Sequence, residues 1–335
     1  MRIFLNAALT DRPYGGANSF LRTLVAALRT RGAAVVHDID AVYDVALVNG
    51  LTEGFGLAEV RKIHARGIPI VHRKVGYRER GSAELRREVD GVIAGDRLQI
   101  EFEPYVDVSV FQSRYSYDLF RASGYSGPHS QIIPNGVDPH VFSHVEPARF
   151  FWRQPRQRTY WDGHQIFRFA ISTWSADASK GFRYYQQFDS ELAGMPDVAV
   201  DFVGRMPKGT FNRIQTHSPL RARALASFLR NHHGYLAFSE HDTCSNALLE
   251  AISCGLQVIF LNSGSHREFA APYGVEYAGD FRDAVRQLLQ GYRERQARMS
   301  ERPFDIGPIA DRYLSVFLET VKGLYRDHAE SAAKG

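Results

Sequence analysis

Residues 239–268 read SEHDTCSNALLEAISCGLQVIFLNSGSHRE, and this stretch narrows the possible folds more than any other. Asp242 opens a polar run, Thr243-Cys244-Ser245-Asn246. A helical pattern follows, Ala247 to Ile252, and stops at Cys254-Gly255. An apolar strand comes next, Val258 to Leu261, then a Gly/Ser loop, Asn262-Ser263-Gly264-Ser265. A helix that begins in Ser/Asn presents free backbone N–H groups and its positive dipole end, which suits an anion such as a phosphate. Asp242 and Glu250 stand in a D-x7-E spacing around that helix start. One carboxylate can address a sugar and the other a ribose, while the helix end between them holds a diphosphate.

The same alternation of apolar run and helical pattern extends over most of the chain. Arg2–Ala8, Ala34–Val36, Val45–Val48, Ile68–Val71, Gly91–Ala94, Val108–Phe111 and Gln131–Pro134 read as short buried strands. Helical patterns lie between several of them, among them Ser19–Thr30, Leu57–Arg66 and Tyr115–Arg121. A second series runs through Ile166–Ser172, Tyr184–Leu192, Val198–Val203, Leu220–Leu229, Gly234–Phe238 and Val258–Leu261. A long helix, Ile309–Arg326, closes the chain. This is the βαβ rhythm of parallel sheets covered on both faces. It predicts an α/β protein of two Rossmann-like doubly wound domains facing a cleft, with ligands at the carboxyl ends of the strands. The expected division is 1–145 for the first domain, 146–164 for a linker rich in Arg, Gln, Pro and aromatics, and 165–308 for the second. A C-terminal helix, 309–328, crosses back to the first domain.

The 335 residues, 44% hydrophobic, suffice for two cores. Cys244 and Cys254 have no His or Cys partners at zinc spacing and read as reduced thiols of a cytoplasmic protein. The N-terminal apolar run reads as a first strand rather than a signal peptide. No segment approaches the roughly 20 apolar residues of a membrane span. The net charge is +4, and the surplus lies in residues 1–160, which hold 21 Lys+Arg against 17 Asp+Glu. That surplus suits an anionic acceptor or peripheral association with an anionic membrane surface, or is a scatter of solvated arginines. No basic stripe interleaved with aromatics occurs, so nucleic acid is not an expected partner. Neither a G-x-G-x-x-G after a strand nor a Walker A sequence is present, which argues against nicotinamide, flavin and P-loop chemistry.

The D-x7-E region resembles the E-x7-E region of the retaining GT-B glycosyltransferases of family 4 (glycosyl transferases group 1), with Asp242 in place of the usual Glu. The resemblance implies that Asp242 contacts a donor sugar, that Glu250 hydrogen-bonds the nucleotide ribose, and that backbone N–H groups at Cys244, Ser245 and Asn246 meet the diphosphate. IIPNGVDPHVF, residues 132–142, is similar to the family's IPNGVD string near the end of the first domain. Phe202-Val203-Gly204 resembles a strand-end glycine of the second domain. Lys180-Gly181 resembles the family's KG, whose Lys neutralises the donor diphosphate together with an Arg a few residues earlier. Here that region, Ser172 to Asp177, has no Arg, and Arg205 is the replacement to consider. In the first domain Gly15-Gly16 matches the family's glycine loop against the donor phosphate, and His72, in IVHRKVG, matches a His that faces the donor sugar. Beside it, Arg73 and Lys74 read as a solvated pair, with an acidic acceptor as the other reading. EGFGLAE at 53–59 imitates a family string in the wrong domain and reads as a loop opening a helix. Glu240 reads as a solvated strand-end residue.

The implied activity is retaining transfer of a sugar from a nucleotide-sugar donor to a hydroxyl acceptor. Lys180 and the helix N-terminus stabilise the leaving diphosphate, so that neither metal nor cofactor is expected. Asp38-Ile39-Asp40 has the letters of a metal-binding D-x-D but lies too early in the first domain to serve. Two other classes remain: a GT-B-fold nucleotide-sugar epimerase, and a non-catalytic member that only binds the sugar nucleotide.

Overall fold

The computed structural model describes residues 1–7, 9, 16–77, 83–146, 156–157, 160–209, 211–299 and 304–325. Gly15 lies outside them. The chain forms two compact units. One comprises the first strand, residues 21–135 and the C-terminal helix, and the other comprises residues 136–305 together with residues 16–20 at the start of the first helix.

In chain order the first elements are β1 (Arg2–Leu5), α1 (Gly16–Thr30), β2 (Ala34–Val36), β3 (Val45–Asn49), α2 (Leu57–Ala65), β4 (Ile70–Arg73) and α3 (Ala83–Arg86). Next are β5 (Glu88–Val89), β6 (Val92–Ile93), α4 (Ala94–Ile100), β7 (Val108–Phe111), α5 (Arg114–Ala122) and β8 (Ser130–Ile132). Six of the strands form a parallel sheet in the order β2-β1-β3-β4-β7-β8. Strands β3, β4 and β7 are buried at every residue, as expected where helices cover both faces.

The segment read as a strand at Gly91–Ala94 is a correction. Val92 and Ile93 pair antiparallel with Glu88 and Val89, outside the main sheet, and Ala94 already begins α4. The reason lies in the turn: Asp90 and Gly91 both have positive φ, 52° and 76°, which closes a two-residue hairpin. EGFG behaves as read. Gly56 precedes α2, and its N–H donates to the Glu59 carboxylate at 2.7 Å.

The second unit contains β9 (Val145–Glu146) paired antiparallel with β10 (Arg156–Gln157), then β11 (Phe167–Thr173), α6 (Phe182–Glu191), β12 (Val198–Gly204) and β13 (Gln215–His217). It continues with α7 (Ala222–Arg230), β14 (Gly234–Ala237), α8 (Asn246–Ser253), β15 (Gln257–Phe260), α9 (His266–Ala270), β16 (Gly274–Glu276), α10 (Phe281–Gln290) and α11 (Tyr292–Arg298). Its sheet, also all parallel, runs β13-β12-β11-β14-β15-β16. Numbered along the chain this is the doubly wound order 3-2-1-4-5-6, and the direction of winding reverses between β11 and β14. Trp161, in the stretch read as linker, packs edge-on against Phe167 and Tyr292 of this unit.

The last helix, α12 (Ile306–Val321), packs on β3 and β4 of the first sheet. Arg31 ties it there, donating to Asp311 Oδ1 at 2.6 Å and to the Gly307 carbonyl at 2.9 Å. Among the described residues no helix is long and apolar enough to cross a membrane.

One buried charge braces the second sheet. Asp201 on β12 accepts from His217 Nε2 at 3.1 Å and His232 Nε2 at 3.0 Å, with Arg168 at 3.6 Å. Burial raises its carboxyl pKa, but the two histidine hydrogen bonds outweigh this and hold it below the ordinary value. Asp201→Ala strands these donors beneath α7 and is expected to cost about 3 kcal/mol in urea unfolding.

Candidate functional site

The residues singled out in the second unit converge where the winding reverses. Chain leaving the carboxyl end of β11 makes a short 3₁₀ turn, Ala178–Lys180, which Asp177 caps by accepting from the Ser179 N–H at 3.0 Å. Gly181 then sits at φ 85°, and a Cβ there would run into the Phe238 carbonyl. The turn thus lies hard against the carboxyl end of β14, and the Glu240 N–H donates to the Ser179 carbonyl at 2.7 Å. Lys180 Nζ and Asp242 Oδ1 come within 3.3 Å, although they are 62 residues apart in sequence. The D-x7-E helix follows directly. Ser245 stands at its N-cap, and Leu248, Leu249 and Ile252 are buried beneath. Cys244 is buried in the same core, so any contact it makes to an anion is through its backbone.

Glu250 lies on the second turn of α8 and is 7% exposed. Its carboxylate has no hydrogen bond among the described residues, and burial pushes its pKa from 4.5 to about 8. The Tyr235 hydroxyl shares the neighbourhood. Burial raises its pKa to about 12, and both Glu250 and Asp242 act in the same direction. A buried, unpartnered carboxyl needs hydrogen-bond donors to become charged, and a vicinal diol supplies two.

Asp242 is held from several sides. Ser239 Oγ donates to Oδ2 at 2.7 Å. The Ser265 N–H and Oγ both donate to the Asp242 carbonyl, at 2.9 and 3.0 Å. Gly264, at φ 60°, presses on the Asp242 backbone, where a Cβ would lie 2.7 Å from the amide nitrogen. His241 is itself at φ 58°, a strained conformation for a non-glycine residue, with its N–H donating to Ser263 Oγ at 3.0 Å. Sequence reasoning quoted the Gly-Ser-His loop without giving its residues a task. The available signal was position: the loop leaves the carboxyl end of the strand beside β14. Glu240 is not free in solvent but is ion-paired with Arg183.

The hydrogen bonds described above for this cluster do not include the side chains of the other candidates. Arg205 follows β12, is exposed, and carries no side-chain hydrogen bond or ion pair among the described residues. Gly16 is the first residue of α1. His72 on β4 is fully buried against Phe102, with ring centroids 5.0 Å apart, and neither ring nitrogen has a hydrogen-bond partner among the described residues. Burial, then Lys74, hold its imidazole well below the ordinary pKa. The solvated reading of Arg73 and Lys74 is corrected. Arg73 is buried and donates to the Asn49 and Asn135 side-chain carbonyls, each at 2.6 Å, so the Asn of the IPNGVD string has a structural partner. Lys74 is buried against Glu103 and the Gln99 carbonyl, and burial lowers its pKa to about 8. Asp38 and Asp40 lie on an exposed turn, with Asp40 paired to Lys62 at 2.7 Å. No cluster of His, Cys, Asp and Glu fit to hold a metal ion occurs among the described residues.

No protein-family model and no curated protein sequence matches the chain. Solved structures match it over nearly its whole length. Sucrose-phosphate synthase from Thermosynechococcus elongatus superposes with a TM-score of 0.69 at 14% identity, covering 95% of this chain and 98% of that one. The catalytic domain of starch synthase IV from Arabidopsis thaliana, bound to ADP and acarbose, gives 0.68 at 9% identity, covering 96% and 99%. HepE of Anabaena in complex with UDP gives 0.65 at 14%, covering 95% and 99%. Two all-parallel six-stranded sheets and these superpositions give the chain the GT-B fold of the glycosyltransferases.

Proposed function

We propose that this chain is a retaining, metal-independent glycosyltransferase that moves a sugar from a nucleotide-sugar donor to a hydroxyl acceptor. The observation that carries the reading is the meeting of Lys180 and Asp242 at the winding reversal of the second sheet, beside the start of α8 and the unpartnered Glu250. Structural relatives solved with UDP, UDP-glucose or ADP support a nucleoside diphosphate as the ligand. In this reading the diphosphate lies at the α8 N-terminus and takes Lys180 from Asp242. Glu250 accepts from the ribose hydroxyls, and Asp242 accepts from a sugar hydroxyl. Negative charge growing on the leaving diphosphate is met by Lys180 and the N–H groups at Cys244 to Asn246, and Arg205 is the second cation. The basic surplus of the first half suits an anionic acceptor or membrane surface, and the thiols suit the cytoplasm.

The test is a thermal-shift screen with UDP-, GDP-, ADP- and dTDP-sugars, since a ligand at 100 times its dissociation constant stabilises by about 2.7 kcal/mol. Nucleoside diphosphate release and product anomeric configuration are then followed with and without EDTA. Absence of any shift defeats the reading. An inverted product defeats retention, and loss of activity in EDTA defeats metal independence.

Glu250 supplies a sharper check. Glu250→Ala is expected to weaken nucleoside diphosphate binding by roughly ten- to hundredfold in calorimetry. Because the free protein holds a proton on Glu250 below about pH 8, nucleotide binding near pH 7 should release a proton, and affinity should climb as pH rises toward 8. The stability sign is the opposite. The folded pKa exceeds the unfolded one, so the folded state holds an extra proton between about 4.5 and 8, and stability falls as pH rises through that window. The slope is up to about 1.4 kcal/mol per unit, and Glu250→Gln should flatten it in urea titrations.

A further inference from the structure

The loop after β15 does more than cover Asp242. Ser239 Oγ has two neighbours, the Asp242 Oδ2 at 2.7 Å and the His266 Nε2 at 3.1 Å. His266 Nδ1 lies 3.1 Å from the Leu261 carbonyl, which can only accept, so that nitrogen carries a hydrogen. His266 is fully buried, so water does not supply alternatives. A serine hydroxyl has one hydrogen. Two acceptors, a carboxylate oxygen and a neutral imidazole nitrogen, compete for it.

We propose that Ser239 and His266 are positioning residues for Asp242, and that the proton contested between them sets how strongly Asp242 Oδ2 accepts from a substrate hydroxyl. The inference rests on the reading of Asp242 as the acceptor for a donor-sugar hydroxyl. With His266 neutral, Ser239 can turn its hydrogen to Nε2 and withdraw it from Oδ2. With His266 protonated, Nε2–H donates to Ser239 Oγ, and the serine hydrogen is committed to Oδ2. Oδ1 faces Lys180 until the donor diphosphate draws that lysine away. The acid form therefore hands the substrate a carboxylate whose Oδ2 already accepts one hydrogen bond and is the weaker acceptor for it.

The charges facing His266 come from two other elements. The Asp242 carboxylate, from the loop after β14, favours the protonated imidazole, and Lys180, from the turn after β11, disfavours it. On its own helix, Arg267 pairs with Glu276 of β16 at 3.5 Å. Burial is the largest influence and lowers the His266 pKa from its ordinary value. The switch accordingly acts on the acid side of neutrality, and the competent form is the one present at neutral pH.

Two measurements test this. In the ligand-free protein, the His266 ring C–H resonances are titrated by NMR in wild type, Ser239→Ala and Asp242→Asn. Loss of the carboxylate charge should lower the His266 midpoint by roughly one unit, and loss of the hydroxyl should lower it by a smaller step. A midpoint unchanged in both variants overturns the coupling, whatever the protein's activity. Second, His266→Ala should lower donor turnover by about tenfold while leaving nucleoside diphosphate affinity within about twofold. His266→Gln, whose amide reaches toward the Nε2 position, should recover most of that loss. Wild-type turnover should fall as pH drops through the measured His266 midpoint, and in Ser239→Ala this dependence should vanish. A retained acid limb in Ser239→Ala, or an equal loss in His266→Gln and His266→Ala, overturns the positioning role. If wild-type protein binds no nucleoside diphosphate, it is the glycosyltransferase reading that fails, and the NMR titration still decides the relay.

Discussion

Lys180→Ala is expected to lower turnover roughly 10²- to 10³-fold while raising the donor KM by less than about tenfold. The leaving diphosphate carries more negative charge in the transition state than in the bound donor, so a cation beside it acts mainly on kcat. In the structure Lys180 is engaged with Asp242 at 3.3 Å. The diphosphate must therefore draw it away from that carboxylate, which tempers its contribution to ground-state binding and leaves the larger share to the transition state. Lys180→Arg, which keeps the charge but not its shape, should lie between wild type and Ala. Steady-state release of the nucleoside diphosphate measures both constants. If turnover is unchanged, the charge must come from elsewhere, and Arg205, exposed after β12, becomes the residue to replace.

Asp242→Asn should leave nucleoside diphosphate affinity almost intact and cut transfer roughly ten- to hundredfold, because a buried sugar hydroxyl loses its charged acceptor. Asp242→Glu should not restore the rate. The short carboxylate is fixed by Ser239, and its backbone is clamped by two hydrogen bonds from Ser265 and by Gly264. One added methylene carries the carboxylate past the place that this backbone clamp sets for it. Asp242→Asn turning over at the wild-type rate would remove the sugar contact from this residue. Glu240 would then come into question, although the structure pairs it with Arg183.

The architecture was legible because parallel strands buried on both faces write themselves as unbroken apolar runs. Val45–Val48 and Val108–Phe111 could hardly be anything else. The margin strands of the second sheet, Gln215–His217 and Gly274–Glu276, hold at most one apolar side chain each, carry no such signature and were not anticipated. Gly91–Ala94 misled for a related reason. Two apolar residues cannot declare their partner, and the Asp90-Gly91 turn decided it. Within the site, Asp242, Glu250 and Lys180 were visible through spacing and motif. Ser239 and His266 were not, since a lone serine and a loop histidine acquire meaning only when the fold sets them 3.1 Å apart. His72 shows the converse: a histidine after a strand looks available in sequence, while its burial depends on Phe102 and its neighbours.

The helix α12 has a consequence for how the protein is made. It completes the unit whose first strand is Arg2–Leu5, yet it leaves the ribosome only after all of residues 136–305. The other unit, residues 16–20 with 136–305, is fully synthesised before Ile306 appears. The later-encoded unit can thus reach its final packing during synthesis, while the earlier-encoded one waits with β3 and β4 lacking their cover. A nascent chain stalled so that residue 305 has emerged from the ribosome and Ile306 has not should present protease-resistant second-unit structure and a labile first unit, the reverse of the order in which the two were translated.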